Sequence, residues 1–141
     1  MNRVAVRCVG LTKGFGAVTA VKELDLTVEQ GQVLAVLGPS GCGKTTALRL
    51  IAGFETPDAG TVEIGGRIVA GPRTFLAPEK RQVGMVFQEY ALFPHLSVAD
   101  NIAYGLPRGA ERADRVKEVM SLASLDGLEN RMPHQLSGGQ Q

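Results

Sequence analysis

Apolar and polar positions alternate with period two from Val4 to Val9 and again through Leu24-Asp25-Leu26-Thr27-Val28, which predicts two half-buried strands followed by a turn at Glu29-Gln30-Gly31. The texture changes at residues 32–38, QVLAVLG, a nearly continuous apolar run of the kind expected of a parallel strand buried on both faces. A Gly-rich loop follows, and then KTTALRLIAG, where Leu48, Ile51 and Ala52 fall at helical spacing and Gly53 supplies a natural C-terminal stop. Residues 61–69, TVEIGGRIV, predict a hairpin turning at Gly65-Gly66; residues 70–81 read as loop, and residues 82–88, QVGMVFQ, as a second buried strand. Beyond Gln88 the period becomes helical. Ser97 with Asp100 three residues on is a capping signal, and residues 111–125 set Val116, Val119, Met120 and Ala123 on one face. The expected organisation is a β-rich core over residues 1–88, a helical region over 89–135, and the first residues of another helix at 136–141.

Composition narrows the classes without choosing a function. With 44% hydrophobic residues in 141, the chain can bury a core. Lys and Arg number 15 against 14 Asp and Glu, so no basic surface calls for nucleic acid. Cys8 and Cys42 make neither a disulfide framework nor a zinc pattern, and no run approaches the roughly 18 apolar residues of a membrane helix.

Candidate chemistry lies between the first buried run and the helix after it. Residues 38–45, GPSGCGKT, satisfy G-x-x-x-x-G-K-[ST]. Gly38, Gly41 and Gly43 let the backbone wrap an anion closely, with Pro39, Ser40 and Cys42 completing the loop and the following helix adding its positive end. Lys44 then serves the β- and γ-phosphates of a nucleotide, Thr45 is placed to ligate Mg²⁺, and Thr46 assists at the α-phosphate. The Cys42 thiol is expected to be a spectator. At the other end, Ser137 is a candidate helix N-cap before Gln140, and Gly138 and Gly139 between them leave N–H groups uncovered that would form a second anion site.

These two motifs, in this order, resemble the nucleotide-binding subunits of ATP-binding cassette (ABC) transporters; LSGGQ, residues 136–140, matches that family's signature letter for letter. The resemblance implies an α/β P-loop NTPase core with an antiparallel β subdomain and a helical insert, incomplete at the C-terminus. It implies ATP and Mg²⁺ as ligands, with Ser137–Gln140 meeting the γ-phosphate held by a second ATP-binding subunit. Gln88 takes the position of the family's Q-loop glutamine, reaching Mg²⁺ and the attacking water, and Phe15 that of the aromatic stacked on adenine, although an aromatic in a strand-rich region is also an ordinary core residue. Phe93 and Leu96 suit either a groove for membrane subunits or local packing. His95 and His134 read as loop or cap residues.

With Met1 about where the cassette begins, the resemblance points to a bacterial importer whose permease is a separate chain, holding the subunit peripherally at the cytoplasmic face of the inner membrane. Residues 77–98 and 131–141 lean toward ferric iron or polyamine within a group that also serves sulfate and thiamine. The family's catalytic Glu follows the signature and is not among these residues, so the intact subunit is expected to hydrolyse ATP and the 141-residue chain to be inactive. The rival readings are an ABC ATPase outside transport and a nucleotide-binding interaction module.

Overall fold

The structure is a computed structural model and describes residues 3–141, leaving Met1 and Asn2 outside. The chain separates into two compact units, dividing between Met85 and Val86.

The first unit is built on an antiparallel sheet ordered β2-β1-β3-β4-β5. Strands β1 (Val4–Phe15) and β2 (Val18–Glu29) form a long hairpin closed by the Phe15↔Val18 pair. β3 (Ala59–Ile64) adds to the other edge of β1, and β4 (Arg67–Gly71) folds back on β3. The β3–β4 turn falls at Gly65-Gly66, with φ of 57° and 85°. Two successive positive φ values are what a two-residue hairpin needs for its twist to match that of the strands. The segment 70–81, expected to be loop, also holds a two-residue strand β5 (Thr74–Phe75) and a 3₁₀ turn at Pro78–Lys80.

Helix α1 (Lys44–Ala52) lies on this sheet and ends at Gly53 in the left-handed region, as its sequence predicts. Its buried face is only partly the expected one: Ala52 is buried and Ile51 packs against the core. Ala47 and Leu50 enter the cluster of Cys8, Leu11, Val21, Val62, Val69 and Ala70, whereas Leu48 is 52% exposed. Periodicity marks an apolar stripe about two residues wide on each turn; only the sheet it meets selects the centre of that stripe. Leu50 is wholly buried, so its truncation to Ala should cost about 3 kcal/mol.

Residues 32–38 and 82–88 are corrections. Neither is a strand, and no described strand pairs with either. Val33 and Leu37 are 94% and 89% exposed, and Val86 is 94% exposed. A continuous apolar run states a preference for burial but supplies no ladder of its own; a strand exists only where a neighbour accepts its hydrogen bonds.

In the second unit, α2 (Val98–Ala103) packs with α3 (Arg112–Leu122) around Val98, Ala103, Val116 and Met120. The capping signal is realised: the Ser97 hydroxyl accepts from the Asp100 N–H at 3.1 Å. Val116 and Met120 are buried as expected and Val119 partly so, but Ala123 is exposed because α3 stops at Leu122 and Ala123 becomes its C-cap. A 3₁₀ turn at Pro133–Gln135 leads into the last residues.

Candidate functional site

Residues 38–43 form an irregular loop that delivers the chain into α1. Gly43 is the N-cap, at φ 93°, and a Cβ there would stand 1.9 Å from the Ala20 carbonyl oxygen. Only glycine fits, because both the backbone conformation and the contact with β2 forbid a side chain. The seat fixes where α1 begins. Among the described residues no side chain caps the start of α1, and no acidic residue lies in its first turn, so nothing there offsets the positive end of the helix dipole.

The Lys44 ammonium folds over the loop and donates to the carbonyls of Gly38 at 2.7 Å and Pro39 at 2.6 Å, with the Cys42 sulfur at 3.5 Å. On a flexible four-carbon stem, that charge can move between loop carbonyls and a phosphate oxygen at little cost. Thr45 is exposed and its hydroxyl has no partner among the described residues, while Thr46 is half-buried. A free hydroxyl beside an uncapped helix start suits a hard cation that also binds phosphate. Beside the loop is a concavity of about 250 Å³ lined by Ala20, Val21, Cys42, Gly43, Lys44 and Ala47. Larger concavities in the second unit, about 470 Å³ around Arg108 and Arg112 and about 660 Å³ beside α2 and α3, contain none of the expected site residues.

Phe15 ends β1 and is 48% exposed, with the Lys13 ammonium 5.3 Å from its ring centroid. Asp58, not singled out in the sequence, holds this end of the strand: its carboxylate accepts from the Gly14 N–H at 2.7 Å and from Lys13 at 3.4 Å. The Gly14 hydrogen bond is the main reason its carboxyl titrates below the usual value.

In the second unit, Gln88 is exposed at the start of a turn in which Tyr90 and Ala91 both have positive φ, 59° and 53°. Two adjacent non-glycine residues in that region store strain, which clusters at ligand-binding loops. Asn101 secures the chain just beyond: its side chain accepts from the Phe93 N–H at 2.9 Å and donates to the carbonyls of Phe93, Leu96 and Ser97. Phe93 rests on Tyr104 with ring centroids 4.2 Å apart, and Leu96 packs no deeper than half-buried. His95 lies in the same loop and His134 in the short 3₁₀ turn.

The signature residues form a first helical turn. The Gln141 N–H bonds the Ser137 carbonyl at 3.0 Å; Ser137 N–H donates to Gln140 Oε1 at 3.0 Å, and the Gln140 N–H returns to Ser137 Oγ at 3.4 Å. This is a reciprocal capping box. Gly138 lies near the Gln88 turn, since a Cβ on it would meet Tyr90 Oη at 3.5 Å. The structure thus groups Gln88 and Ser137–Gln140 within the second unit, and Phe15 and residues 38–46 within the first.

One residue the sequence reading missed is Arg81, 3% exposed. Its guanidinium donates to the Leu76 carbonyl at 2.7 Å and, across about thirty positions, to the carbonyls of Leu50 at 2.8 Å and Ile51 at 2.9 Å in the last turn of α1. Burial lowers its pKa from the ordinary value. In PEKR it reads as one more solvated charge, and no local signal distinguishes it.

Comparison with known proteins agrees with this geometry. A solved bacterial ABC transporter cassette determined as a dimer superposes with a TM-score of 0.82 at 30% identity, covering 96% of this chain and 64% of that one. Another ABC cassette gives 0.81 at 25% identity, covering 99% and 61%. The fold is that of the α/β P-loop cassette, despite the two unpaired apolar runs. Among curated relatives, the sulfate/thiosulfate import ATP-binding protein CysA 2 of Chromobacterium violaceum is 54% identical over 134 residues, 93% of this chain and 36% of that protein. The spermidine/putrescine import protein PotA of Rubrobacter xylanophilus is 51% identical, with 98% and 37% covered, and the Fe(3+) import protein FbpC of Agrobacterium fabrum 50%, with 92% and 36%. The chain therefore spans little more than a third of the length of these relatives. With the ABC transporter profile matching residues 21–141, the chain belongs to the ABC transporter family.

Proposed function

We propose that this chain carries the nucleotide-binding part of an ATP-hydrolysing importer subunit. The observation that carries the proposal is the helix start at Gly43: seated against β2, uncapped, and followed at once by Lys44 and Thr45. In this reading the N–H groups of residues 38–46 and the α1 dipole hold the phosphates, Lys44 neutralises the β- and γ-phosphate charge, and Phe15 stacks on adenine. Thr45 would hold Mg²⁺, which when bound neutralises phosphate charge as it develops in transfer. Gln88, on the second unit, takes the Q-loop role that the resemblance gives it, and Ser137–Gln140 offers its glycine N–H groups to nucleotide on a second cassette.

In the whole protein, two such cassettes close on ATP, and hydrolysis drives import of a small solute through separate permease chains. The subunit then sits peripherally on the cytoplasmic face of the membrane; no helix among the described residues is long and apolar enough to cross it. The relatives serve sulfate, polyamines and Fe(3+), and ferric iron or a polyamine is the proposed class here.

Equilibrium binding of labelled ATP with Mg²⁺ tests the core of this reading. Saturable binding that Lys44→Ala weakens about 100-fold supports it, whereas equal binding by both proteins overturns it.

A further inference from the structure

Both ends of α1 leave backbone groups without intrahelical partners, and the fold treats them differently. No side chain caps the N-terminal N–H groups among the described residues, but three carbonyls of the last turn are held: Arg49 by the N–H groups of Gly53 and Phe54, both at 2.9 Å, and Leu50 and Ile51 by Arg81. Gly53 has no room for a side chain because a Cβ would approach Arg81 Nε to 2.5 Å. On its other side Arg81 lies 5.1 Å from the Phe75 ring centroid and bonds the Leu76 carbonyl, so one buried cation ties α1 to β5 and the chain after it. Its Nη2 finds no partner among the described residues, an arrangement that costs free energy and is retained only where the other contacts outweigh it.

We infer that Arg81 is a positioning residue for phosphate binding: by clamping the C-terminal carbonyls of α1 it fixes the axial position and rotation of the helix, and thereby the placement of the N–H groups and Lys44 at its other end. A helix of nine residues is short and stiff enough to transmit a displacement from one end to the other. The inference rests on the phosphate-site reading above, and it assigns Arg81 no contact with nucleotide.

The test is inorganic pyrophosphate and MgATP affinity of the full chain, measured on wild type, Arg81→Met, Arg81→Lys and Val62→Ala, the last a core truncation on β3 that removes none of the hydrogen bonds at the α1 terminus. Under conditions where all remain folded by circular dichroism, Arg81→Met should bind both ligands about tenfold more weakly, since small misplacements far from a site are costly there. Arg81→Lys, which keeps charge but not the fork, should lose about threefold, and Val62→Ala should match wild type. Amide hydrogen exchange should accelerate in Arg81→Met as far as Ala47 and Leu48, not only at residues 51–55. Unchanged affinity in Arg81→Met, or an equal loss in Val62→Ala, overturns the inference; if Arg81→Met does not fold, Arg81→Lys decides by the same comparison. Should wild type bind neither ligand, the phosphate-site reading fails, and exchange confined to residues 51–55 would separately remove the clamp.

Discussion

The loop at residues 38–45 and the turn at residues 136–140 are both glycine-rich helix starts, yet they dispose of their N–H groups in opposite ways. At the first, no side chain caps the helix and Gly43 is pressed against the Ala20 carbonyl. At the second, Ser137 and Gln140 satisfy each other, and a Cβ on Gly139 would meet nothing within 4 Å. Glycine is sterically required in one case. In the other it leaves a surface open. An uncapped helix start and a reciprocally capped turn are therefore different devices, although both read as Gly-rich motifs.

Substitutions can break that contrast, beginning with Gly43→Ala. It should destabilise the first unit by about 3 kcal/mol, read from denaturant midpoints, and abolish nucleotide binding, because clash and positive φ act together. Lys44→Ala should weaken MgATP by about 100-fold with little change in the denaturation midpoint, a separation of binding from stability that Gly43 cannot show. Ser137→Ala should cost the signature turn about 1 kcal/mol, visible as faster exchange of the Gln141 amide, and Gln140→Ala in the same chain should add less than its single effect because the box is reciprocal.

Smaller effects sharpen the comparison. Asp58 closes the Gly14 N–H with a carboxylate, so this cap, unlike the hydroxyl cap at Ser137, responds to acid. Its folded pKa lies below the ordinary 3.8, which means its contribution is present above that value and disappears as pH falls through the lowered pKa. The Gly14 amide resonance should titrate with a midpoint below 3.8, and Asp58→Asn should remove the transition. Gly139→Ala should leave stability unchanged or raise it by about 0.5 kcal/mol, the reverse of Gly43→Ala.

Much of the local architecture was legible because its causes are local. Gly65-Gly66 supplies the two positive φ values of a tight turn, Ser97 and Asp100 cap α2 within three residues, and Gly53 ends α1 in the conformation only glycine adopts cheaply. The loop before α1 was legible for the same reason, since residue types at fixed spacing dictate its backbone. Arg81, Asp58 and Asn101 were not. Two of Arg81's acceptors lie about thirty residues back, the Gly14 donor lies 44 residues from Asp58, and Asn101 turns its amide into a loop whose path no periodicity encodes.

What the sequence by itself determined, then, is the Gly65-Gly66 turn, the Ser97 cap and the Gly53 stop, whose hydrogen bonds close within a few positions, together with the family that the two motifs mark. Tertiary structure decided which face of α1 is buried, that Gly43 is wedged against β2, that residues 32–38 and 82–88 pair with no described strand, and that a buried arginine holds the far end of the phosphate-loop helix. The division follows from chain physics: a local bond needs only the right residues nearby, whereas a strand partner, a helix face or a distant carbonyl exists only once remote segments have been brought together.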